Sequence, residues 1–404
     1  MDYLQRVERL RQLLGRLAPE SNLENMQPQL EVLRMEDSEE SIAQAGLDVL
    51  MSGQMTDLEQ TGALEAIIHK RYRPVVNIVN DTFAAPPAPW TYLGTGEFRT
   101  RIESTLRSIG RIEVPNDPRE RPFAGTGFVV GENLLMTNRH VAMIFATGLG
   151  RRGLAFVPGQ VVGVDFKQEI VPTPPEMLTV SEVVMIHPYW DMALLRVSGL
   201  SGRQTTLTLS VDPADGSRPM DVIVVGYPAQ DDRNPMALQN EIFAGVFNVK
   251  RLQPGKLLAR RDFESFGRMV NAVTHDSSTL GGNSGSAVVD VSSGQIIGLH
   301  FAGLYLDANF AVPTYELARD PQVVDAGVNF AGSVGVSDNY LPVWQQADAA
   351  ETIPASVTAP AEPAVQSPAA SPSTLPSNSR PIDSRQMSAS ITIPITLTVT
   401  FPEP

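Results

Sequence analysis

The amino-acid sequence predicts a mainly β protein, with antiparallel sheets in the central region, a helical segment before it and a low-complexity tail after it. Many short apolar runs in residues 97–335 carry this prediction, among them GTGFVV, DVIVVGY and QIIGLHF. Gly, Pro, Asn and Asp separate these runs, a pattern typical of a sandwich or a barrel. The region has about 240 residues, a length that suits two small barrels.

The first predicted element is a small helical module over residues 1–80. Apolar residues recur there at helical spacing: Leu4, Val7, Leu10, Leu14 and Leu17. TDLE at 56–59 matches a capping box. The module either packs on the next domain, as a pro-segment can, or recruits a protein partner. AAPPAPW at 84–90 cannot continue a helix, so we place a linker at 81–96.

The C-terminal part of the chain predicts a linker followed by one strand. Residues 346–386 are rich in Pro, Ala and Ser and too poor in large apolar side chains to pack, so we expect disorder there. Residues 387–404 include ITIPITLTVTF, where apolar residues alternate with Thr or Pro. This period of two predicts a strand with one apolar face. The strand pairs either with its own chain or with another chain.

The composition excludes several classes of function. An apolar content of 42% with 19% charged residues is that of a globular protein. The net charge of −14 disfavours a nucleic-acid partner. Without cysteine there is no thiol chemistry, and no histidine pair has metal-ligand spacing, so we expect neither metal nor cofactor. Charges throughout the first twenty residues, and the lack of a long apolar run, predict a cytoplasmic protein without a signal peptide or membrane contact.

The segment THDSSTLGGNSGSAVVD, residues 274–290, contains the best candidate for a nucleophile. Gly281, Gly282 and Gly285 surround Ser284, and such glycines permit a tight turn that aims backbone N–H groups at an oxyanion. No side chain at Gly282 would keep a substrate carbonyl from the N–H groups of Gly282 and Ser284. The serine hydroxyl also needs a nearby base and a carboxylate that orients this base.

Two residues elsewhere in the chain fit these supporting roles. His140 ends the apolar run of LLMTNRHVA, an odd place for a core histidine, and is the candidate base. Asp191 interrupts an apolar strand in PYWDMALLRV, where a buried acid needs a partner, and is the candidate carboxylate. His275 and Asp276 stand too near Ser284 in an extended chain to face it, so we expect no catalytic role for them.

Three motifs together resemble the chymotrypsin-like serine peptidases. GTGFVVGENLLMTNRHVA, DMALLRV and TLGGNSGSAVVD with GQIIGLHFAG follow the order of the family's histidine, aspartate and serine motifs. The likeness covers about residues 97–320 and is strongest to the bacterial branch that contains the glutamyl endopeptidases. It implies two antiparallel six-stranded β-barrels, a peptidase domain over 97–335 and protein or peptide substrates. The alternative is a protein-interaction module on the same scaffold, with little or no turnover.

The resemblance also implies the role of each site residue. Ser284 would be the nucleophile, His140 the general base and Asp191 the orienting carboxylate, with the N–H groups of Gly282 and Ser284 as oxyanion donors. Ser277 and Ser286 would be structural.

The primary specificity pocket follows from the same resemblance. Ser278, six positions before the nucleophile, would lie at the base of this pocket, which therefore lacks the acid that binds a substrate Arg or Lys. His300 matches the histidine with which glutamyl endopeptidases bind a substrate carboxylate, as an imidazolium could. Gly303 would line the wall and let an extended substrate pair with its strand. A preference for Glu or Asp and one for small or apolar residues both stay open.

Asn283 departs from the digestive branch of the family, where an aspartate at this position pairs with a newly cut N-terminal amine. A neutral amide cannot form that ion pair. We therefore predict that the protein becomes competent without such cleavage, its N-terminal segment still attached. Activity that appears only after loss of residues 1 to about 96 would contradict this prediction.

Overall fold

The computed structural model describes residues 69, 72–172, 174, 177–231, 234–304 and 307–350. The leucine-rich helical repeat, the capping box and the C-terminal strand predicted above lie outside the described residues. None of the helices within the described ranges has the length and apolar character needed to cross a membrane.

Short strands make up most of the regular structure. The strands are β1 (Val76–Val79), β2 (Thr82–Phe83), β3 (Ile109–Glu113), β4 (Gly125–Gly131), β5 (Leu134–Thr137), β6 (Ala146–Thr147), β7 (Ala155–Phe156), β8 (Gly163–Asp165), β9 (Met177–Ile186), β10 (Ala193–Ser198), β11 (Asp221–Gly226), β12 (Arg251–Ser265), β13 (Arg268–His275), β14 (Ala287–Asp290), β15 (Ile296–Gly303) and β16 (Asn309–Pro313). The α-helices are α1 (Gly96–Leu106), α2 (Arg139–Ala142), α3 (Met236–Phe243), α4 (Thr314–Ala318), α5 (Pro321–Val324) and α6 (Leu341–Ala350). Single 3-10 turns span Thr91–Gly94 and Asp338–Tyr340. The mainly β prediction is confirmed.

Six strands close into an antiparallel barrel in the order β10-β5-β4-β3-β8-β9. Strand β4 is buried on both of its faces. Its Val129 belongs to one apolar cluster together with strands of this barrel, whereas the neighbouring Phe128 belongs to a second cluster that also contains Ile223 and Leu252 of the other sheet. Because both faces are covered, large apolar residues occupy successive positions of the strand at Phe128, Val129 and Val130.

The second β body is an eight-stranded sheet in the order β11-β14-β15-β16-β13-β12-β1-β2. Strand β11 pairs with β12 as well as with β14, with Val222 opposite Gly255, so the pairing returns to the first strand after six strands. Strands β1 and β2 extend the sheet beyond β12. The prediction of two six-stranded barrels is thus confirmed for the first barrel and stays a prediction for this second body.

The structure differs from the predicted segment limits near residues 80 and 346. Strand β1 lies within the range assigned to the helical module, because it pairs with β12 through Val76 and Leu252. Trp90 and Leu93, in the range assigned to the linker, are buried in the core. Helix α6 includes the first residues of the predicted disordered segment and buries Trp344. Proline-rich composition excludes a long helix, but it does not exclude a short turn with a buried aromatic side chain.

Candidate active site

Strand pairing in the first barrel brings His140 and Asp191 together. Strand β5 ends and strand β10 begins at the paired residues Thr137 and Ala193. Because the two strands are antiparallel, the chain after β5 and the chain before β10 lie at the same end of the barrel. Helix α2, which carries His140, follows β5, and Asp191 closes the loop that leads into β10.

The carboxylate of Asp191 binds His140 through both of its oxygens. Nδ1 of His140 lies 2.6 Å from Oδ2, and the backbone N–H of His140 donates to Oδ1 at 2.9 Å. The side chain of Asn138 donates to the backbone carbonyl of Asp191 at 2.9 Å. Since the buried carboxylate accepts the Nδ1 proton, the lone pair of His140 lies on Nε2. This is the tautomer that a general base needs.

His187 holds the loop that presents Asp191. Its Nδ1 accepts the backbone N–H groups of Tyr189 and Trp190, each at 3.0 Å. The proton of the ring must then lie on Nε2, which is 3.1 Å from Oδ2 of the buried Asp320. Burial lowers the pKa of His187 although Asp320 acts in the opposite direction. The sequence reasoning missed this residue, whose only signal was a histidine four positions before the candidate carboxylate.

The nucleophile turn depends on two glycines with left-handed backbone. Gly282 has φ +81° and Gly285 has φ +90°. A β-carbon on Gly282 would lie 2.4 Å from the carbonyl oxygen of Tyr227, and one on Gly285 would lie 1.8 Å from that of Thr126. Conformation and space therefore both require glycine at these positions.

Thr126 of the first barrel ties this turn in place. Its N–H donates to the carbonyl of Ser284 at 2.8 Å, and its hydroxyl donates to the carbonyl of Gly282 at 2.9 Å. A β-carbon on the preceding Gly125 would lie 2.9 Å from the Ser284 carbonyl oxygen and 2.8 Å from a methyl group of Val141, which follows His140. Ser284 thus lies next to the helix that carries the candidate base.

Three backbone N–H groups in residues 281–285, those of Gly281, Gly282 and Ser284, have no partner among the described residues. The N–H groups of Asn283 and Gly285 donate to neighbouring carbonyls at 3.2 Å and 2.9 Å. Those of Gly282 and Ser284 donate to no described residue. The resemblance assigns two of these three groups, the N–H groups of Gly282 and Ser284, to the oxyanion, and no described carbonyl competes with a substrate for them.

Asn283 is fully buried among neutral groups. Its Oδ1 accepts the side-chain N–H of Gln253 at 3.1 Å and the hydroxyl of Ser286 at 3.3 Å. An aspartate at this position would be a buried charge and would need a cation beside it. The neutral amide needs no cation, although its Nδ2 is buried without a hydrogen-bond partner among the described residues. That no cut N-terminal amine is needed there stays a prediction.

The pocket side of the site contains a pair of buried histidines. Nε2 of His275 lies 3.2 Å from Nδ1 of His300. Nδ1 of His275 is buried without a partner among the described residues, so we place the His275 proton on Nε2, where it is donated to His300. The proton of His300 then lies on its own Nε2. Although His275 was not expected to be catalytic, it orients the predicted specificity residue.

The charge state of His300 differs from the sequence expectation. Burial, together with His275 and His140 nearby, lowers the pKa of His300 well below 6.5, and burial lowers that of His275 to about 3. His300 is therefore a neutral N–H donor in the free protein, not the imidazolium that the sequence suggested, because desolvation disfavours the charged ring.

Ser278 precedes Thr279 in the chain, and Gly303 lies close to the Thr279 side chain. A β-carbon on Gly303, which is exposed at the end of β15, would lie 3.8 Å from the Thr279 hydroxyl and 2.6 Å from Oδ1 of Asn309. Ser278 is buried, and its hydroxyl donates to the backbone carbonyl of Arg73 at 2.8 Å. Within the described ranges, no group of three or more His, Asp or Glu side chains could hold a metal ion.

Comparisons with known proteins place the matched region around this site. Residues 125–299 match the family model of the trypsin-like peptidase domain. A probable serine protease of Lysobacter enzymogenes is 25% identical over 236 residues, which are 52% of this chain and 61% of that protein. A glutamyl endopeptidase of Staphylococcus epidermidis is 29% identical over 202 residues, 45% of this chain and 55% of that protein. The chain thus spans less than two thirds of the length of these relatives.

Solved structures of proteases also resemble the chain. The active form of a protease from M. tuberculosis has a TM-score of 0.37 and 22% identity, over 58% of this chain and 86% of that one. The HtrA-type protease AlgW, solved with a decapeptide, has a TM-score of 0.38 and 17% identity, over 57% of this chain and 69% of that one.

Proposed function

We propose that this chain, which carries a trypsin-like serine peptidase domain, is a serine endopeptidase with Ser284, His140 and Asp191 as its catalytic triad. One observation carries the proposal most directly. The carboxylate of Asp191 fixes the base tautomer of His140 through two hydrogen bonds, while the N–H groups of Gly282 and Ser284 stay without a partner among the described residues. Base and oxyanion site are thus prepared before a substrate binds.

The proposed reaction proceeds through an acyl-enzyme. The Ser284 hydroxyl oxygen attacks the carbonyl carbon of the peptide bond and gives its proton to Nε2 of His140. The N–H groups of Gly282 and Ser284 stabilise the negative oxygen that forms. His140 then protonates the amine as the C–N bond breaks, and a water molecule, deprotonated by His140, hydrolyses the ester left on Ser284. Asp191 stays ionised and stabilises the imidazolium.

The alternative, a binding module with little turnover, explains less of this geometry. The N–H groups of Gly282 and Ser284 donate to no described carbonyl, so a substrate oxygen can accept from both, as the peptidase reaction requires. A binding module would also have no need for the buried Asp191 beside His140, since burying a carboxylate is costly.

The proposed preference at the residue before the cleaved bond is for Glu or Asp. Oriented by His275, His300 supplies a neutral N–H donor from a buried position, and a carboxylate accepts such a bond well. Ser278 brings no negative charge to the pocket. The relative from S. epidermidis is named a glutamyl endopeptidase. Small or apolar residues are the competing preference, since a neutral pocket accepts them as well.

Labelling and cleavage profiling of the full-length chain test both parts of the proposal. We expect a fluorophosphonate probe to label wild type and not Ser284→Ala, and a peptide library to be cut by wild type after acidic residues. His300→Gln should still be labelled but lose the acidic preference. Absence of labelling in wild type would support the binding module, and cleavage by His300→Gln with an unchanged profile would exclude the role of His300.

A further inference from the structure

His69 and Arg73 lie one helical turn apart, before the matched peptidase region, and contact the segment that contains Ser278. The backbone N–H of Arg73 donates to the carbonyl of His69 at 2.8 Å, the spacing of one α-helical turn. Side chains four residues apart lie on the same face of a helix. Both side chains reach the short stretch 276–278, more than 200 positions further along the chain.

Arg73 and Asp276 form a buried bidentate ion pair. Nε of Arg73 donates to Oδ1 and Nη2 donates to Oδ2, each at 2.6 Å, and the side chains are 1% and 4% exposed. The N–H of Lys256 also donates to Oδ1 at 2.7 Å. The desolvation free energy of two buried charges offsets most of their Coulomb attraction, so such a pair adds little to the stability of the fold. Its fork geometry does fix the relative position of the two segments.

The hydroxyl of Ser278 is bound by the same turn. It donates its single proton to the carbonyl of Arg73 at 2.8 Å, and it lies 3.0 Å from Nδ1 of His69. Because that proton is already used, His69 must be the donor in the second bond. Burial and the adjacent Arg73 lower the pKa of His69 to about 4, which keeps the ring neutral. Ser278 is therefore oriented by the N-terminal turn.

Trp90 holds the turn from its other side. Its Nε1–H donates to the carbonyl of Tyr72 at 2.8 Å, and the Arg73 guanidinium lies 5.5 Å from the centre of its ring. The indole is 1% exposed. The turn is thus enclosed between Trp90 and the stretch 276–278.

We infer that Arg73 and His69 are positioning residues of the primary specificity pocket, which is completed by a turn outside the matched domain. The inference rests on the proposed peptidase function, because only a peptidase makes Ser278 a pocket residue. Arg73 supplies, within the uncut chain, a cation that orders the segment leading to the nucleophile turn. The neutral Asn283 fits this arrangement, since the ordering ion pair is made at Asp276 instead.

The test compares full-length wild type with Arg73→Met, Arg73→Lys and Arg196→Met. Arg196 forms an exposed ion pair with Glu182 and is the matched control. With rates normalised to sites titrated by the fluorophosphonate, we expect Arg73→Met to lower kcat/KM by about 10- to 100-fold, as small displacements in a site can. The loss should be largest for the preferred residue, which flattens the cleavage profile. Lys offers a single ammonium group in place of the guanidinium fork, so kcat/KM of Arg73→Lys should lie between the values of wild type and Arg73→Met.

Amide hydrogen exchange of residues 276–282 in the same variants does not depend on turnover. We expect faster exchange in Arg73→Met and unchanged exchange in Arg196→Met. If wild type shows no Ser284-dependent cleavage, the proposed function fails. The exchange data then still show whether Arg73 orders residues 276–282. An unchanged profile per titrated site would overturn the inference, whether or not hydrogen exchange changes.

If Arg73→Met does not fold, His69→Phe and the double variant Arg73→Met with Asp276→Asn take its place. The double variant leaves no unpaired charge in the core. A purely structural role would reduce the amount of titratable enzyme and leave the profile per site as in wild type.

Discussion

Gly282 is the residue on which the proposed oxyanion site depends most directly. Its φ is +81°, and neither its own N–H nor that of Ser284 donates to a described carbonyl, whereas the intervening N–H of Asn283 donates to the carbonyl of Leu280. The carbonyl of Tyr227 fills the space in which a side chain would stand. Ordinary residues disfavour this backbone region, so the turn is available only to a residue without a β-carbon.

Gly282→Ala should therefore lower activity far more than Gly281→Ala. A β-carbon on Gly282 would stand 2.4 Å from a carbonyl oxygen, whereas one on Gly281 would have Oδ2 of Asp231, at 3.4 Å, as its nearest neighbour. We expect kcat/KM of Gly282→Ala to fall by about 10²–10³-fold, as when an oxyanion donor is displaced. Steady-state kinetics on equal amounts of folded protein check this. Equal losses in the two variants would show that the turn is more adaptable than the structure indicates.

At the scale of elements, the loop before β10 is connected to helix α6 through one buried carboxylate. Oδ2 of Asp320 lies 3.1 Å from Nε2 of His187 and accepts the indole N–H of Trp344 at 2.7 Å. The rings of His187 and Trp344 also pack together, with centroids 5.0 Å apart. Helix α6 thus covers the residue that shapes the Asp191 loop.

His187→Leu should destabilise the fold more than Trp344→Phe. The first variant removes the acceptor for two backbone N–H groups and the donor that binds the buried Asp320 carboxylate. We therefore expect the free energy of unfolding to fall by about 3–5 kcal/mol. The second removes one hydrogen bond and keeps an aromatic ring, so we expect about 1–2 kcal/mol. Urea unfolding measures both.

Activity per titrated site separates the two variants further. It should fall in His187→Leu because Asp191 loses its fixed position, and it should change little in Trp344→Phe. Similar stability losses in the two variants, or full activity in His187→Leu, would contradict the positioning of Asp191 by His187.

At the scale of the whole molecule, the site lies where the two β bodies meet. The first barrel contains His140, Asp191 and Thr126, whose N–H and hydroxyl bind carbonyls of the nucleophile turn. The eight-stranded sheet borders this turn. Desolvation keeps the buried histidines around this junction neutral. The free energy of unfolding of the whole molecule therefore depends on pH.

Stability should therefore fall as the pH drops below about 6.5. Burial lowers the folded-state pKa of His69 to about 4 and that of His275 to about 3, from 6.5 in the unfolded chain. Their contribution to stability is present above pH 6.5 and is lost as the pH falls towards the folded pKa, because only the unfolded state binds the protons. Each such histidine contributes a slope of about 1.4 kcal/mol per pH unit.

Urea unfolding between about pH 7 and pH 5.5 measures this slope, in a range well above the ordinary pKa of Asp and Glu. His69→Gln and His275→Gln should each make the dependence shallower than in wild type. A flat wild-type profile, or variants as steep as wild type, would show that these rings become charged in the folded protein.

Much of the candidate site could be predicted from residues that are close together in the sequence. The glycines beside Ser284 predict a tight turn because their backbone freedom acts within a few residues, and the turn is present. The closed first barrel follows from short apolar runs that fit strands with both faces covered. The limits at residues 80 and 346 stay predictions. Strand β1 lies before the first and helix α6 spans the second, because pairing with β12 and the burial of Trp344 depend on residues far away in the chain.

By itself, the sequence determined the mainly β class and the local chemistry of the nucleophile turn, since these depend on residue types within a few positions of one another. Only the tertiary structure decided that His300 is neutral, that His187 shapes the Asp191 loop, and that Arg73 and His69 reach Ser278. These depend on burial and on contacts between residues as many as 209 positions apart. No local pattern encodes such contacts, because each partner alone reads as an ordinary polar residue.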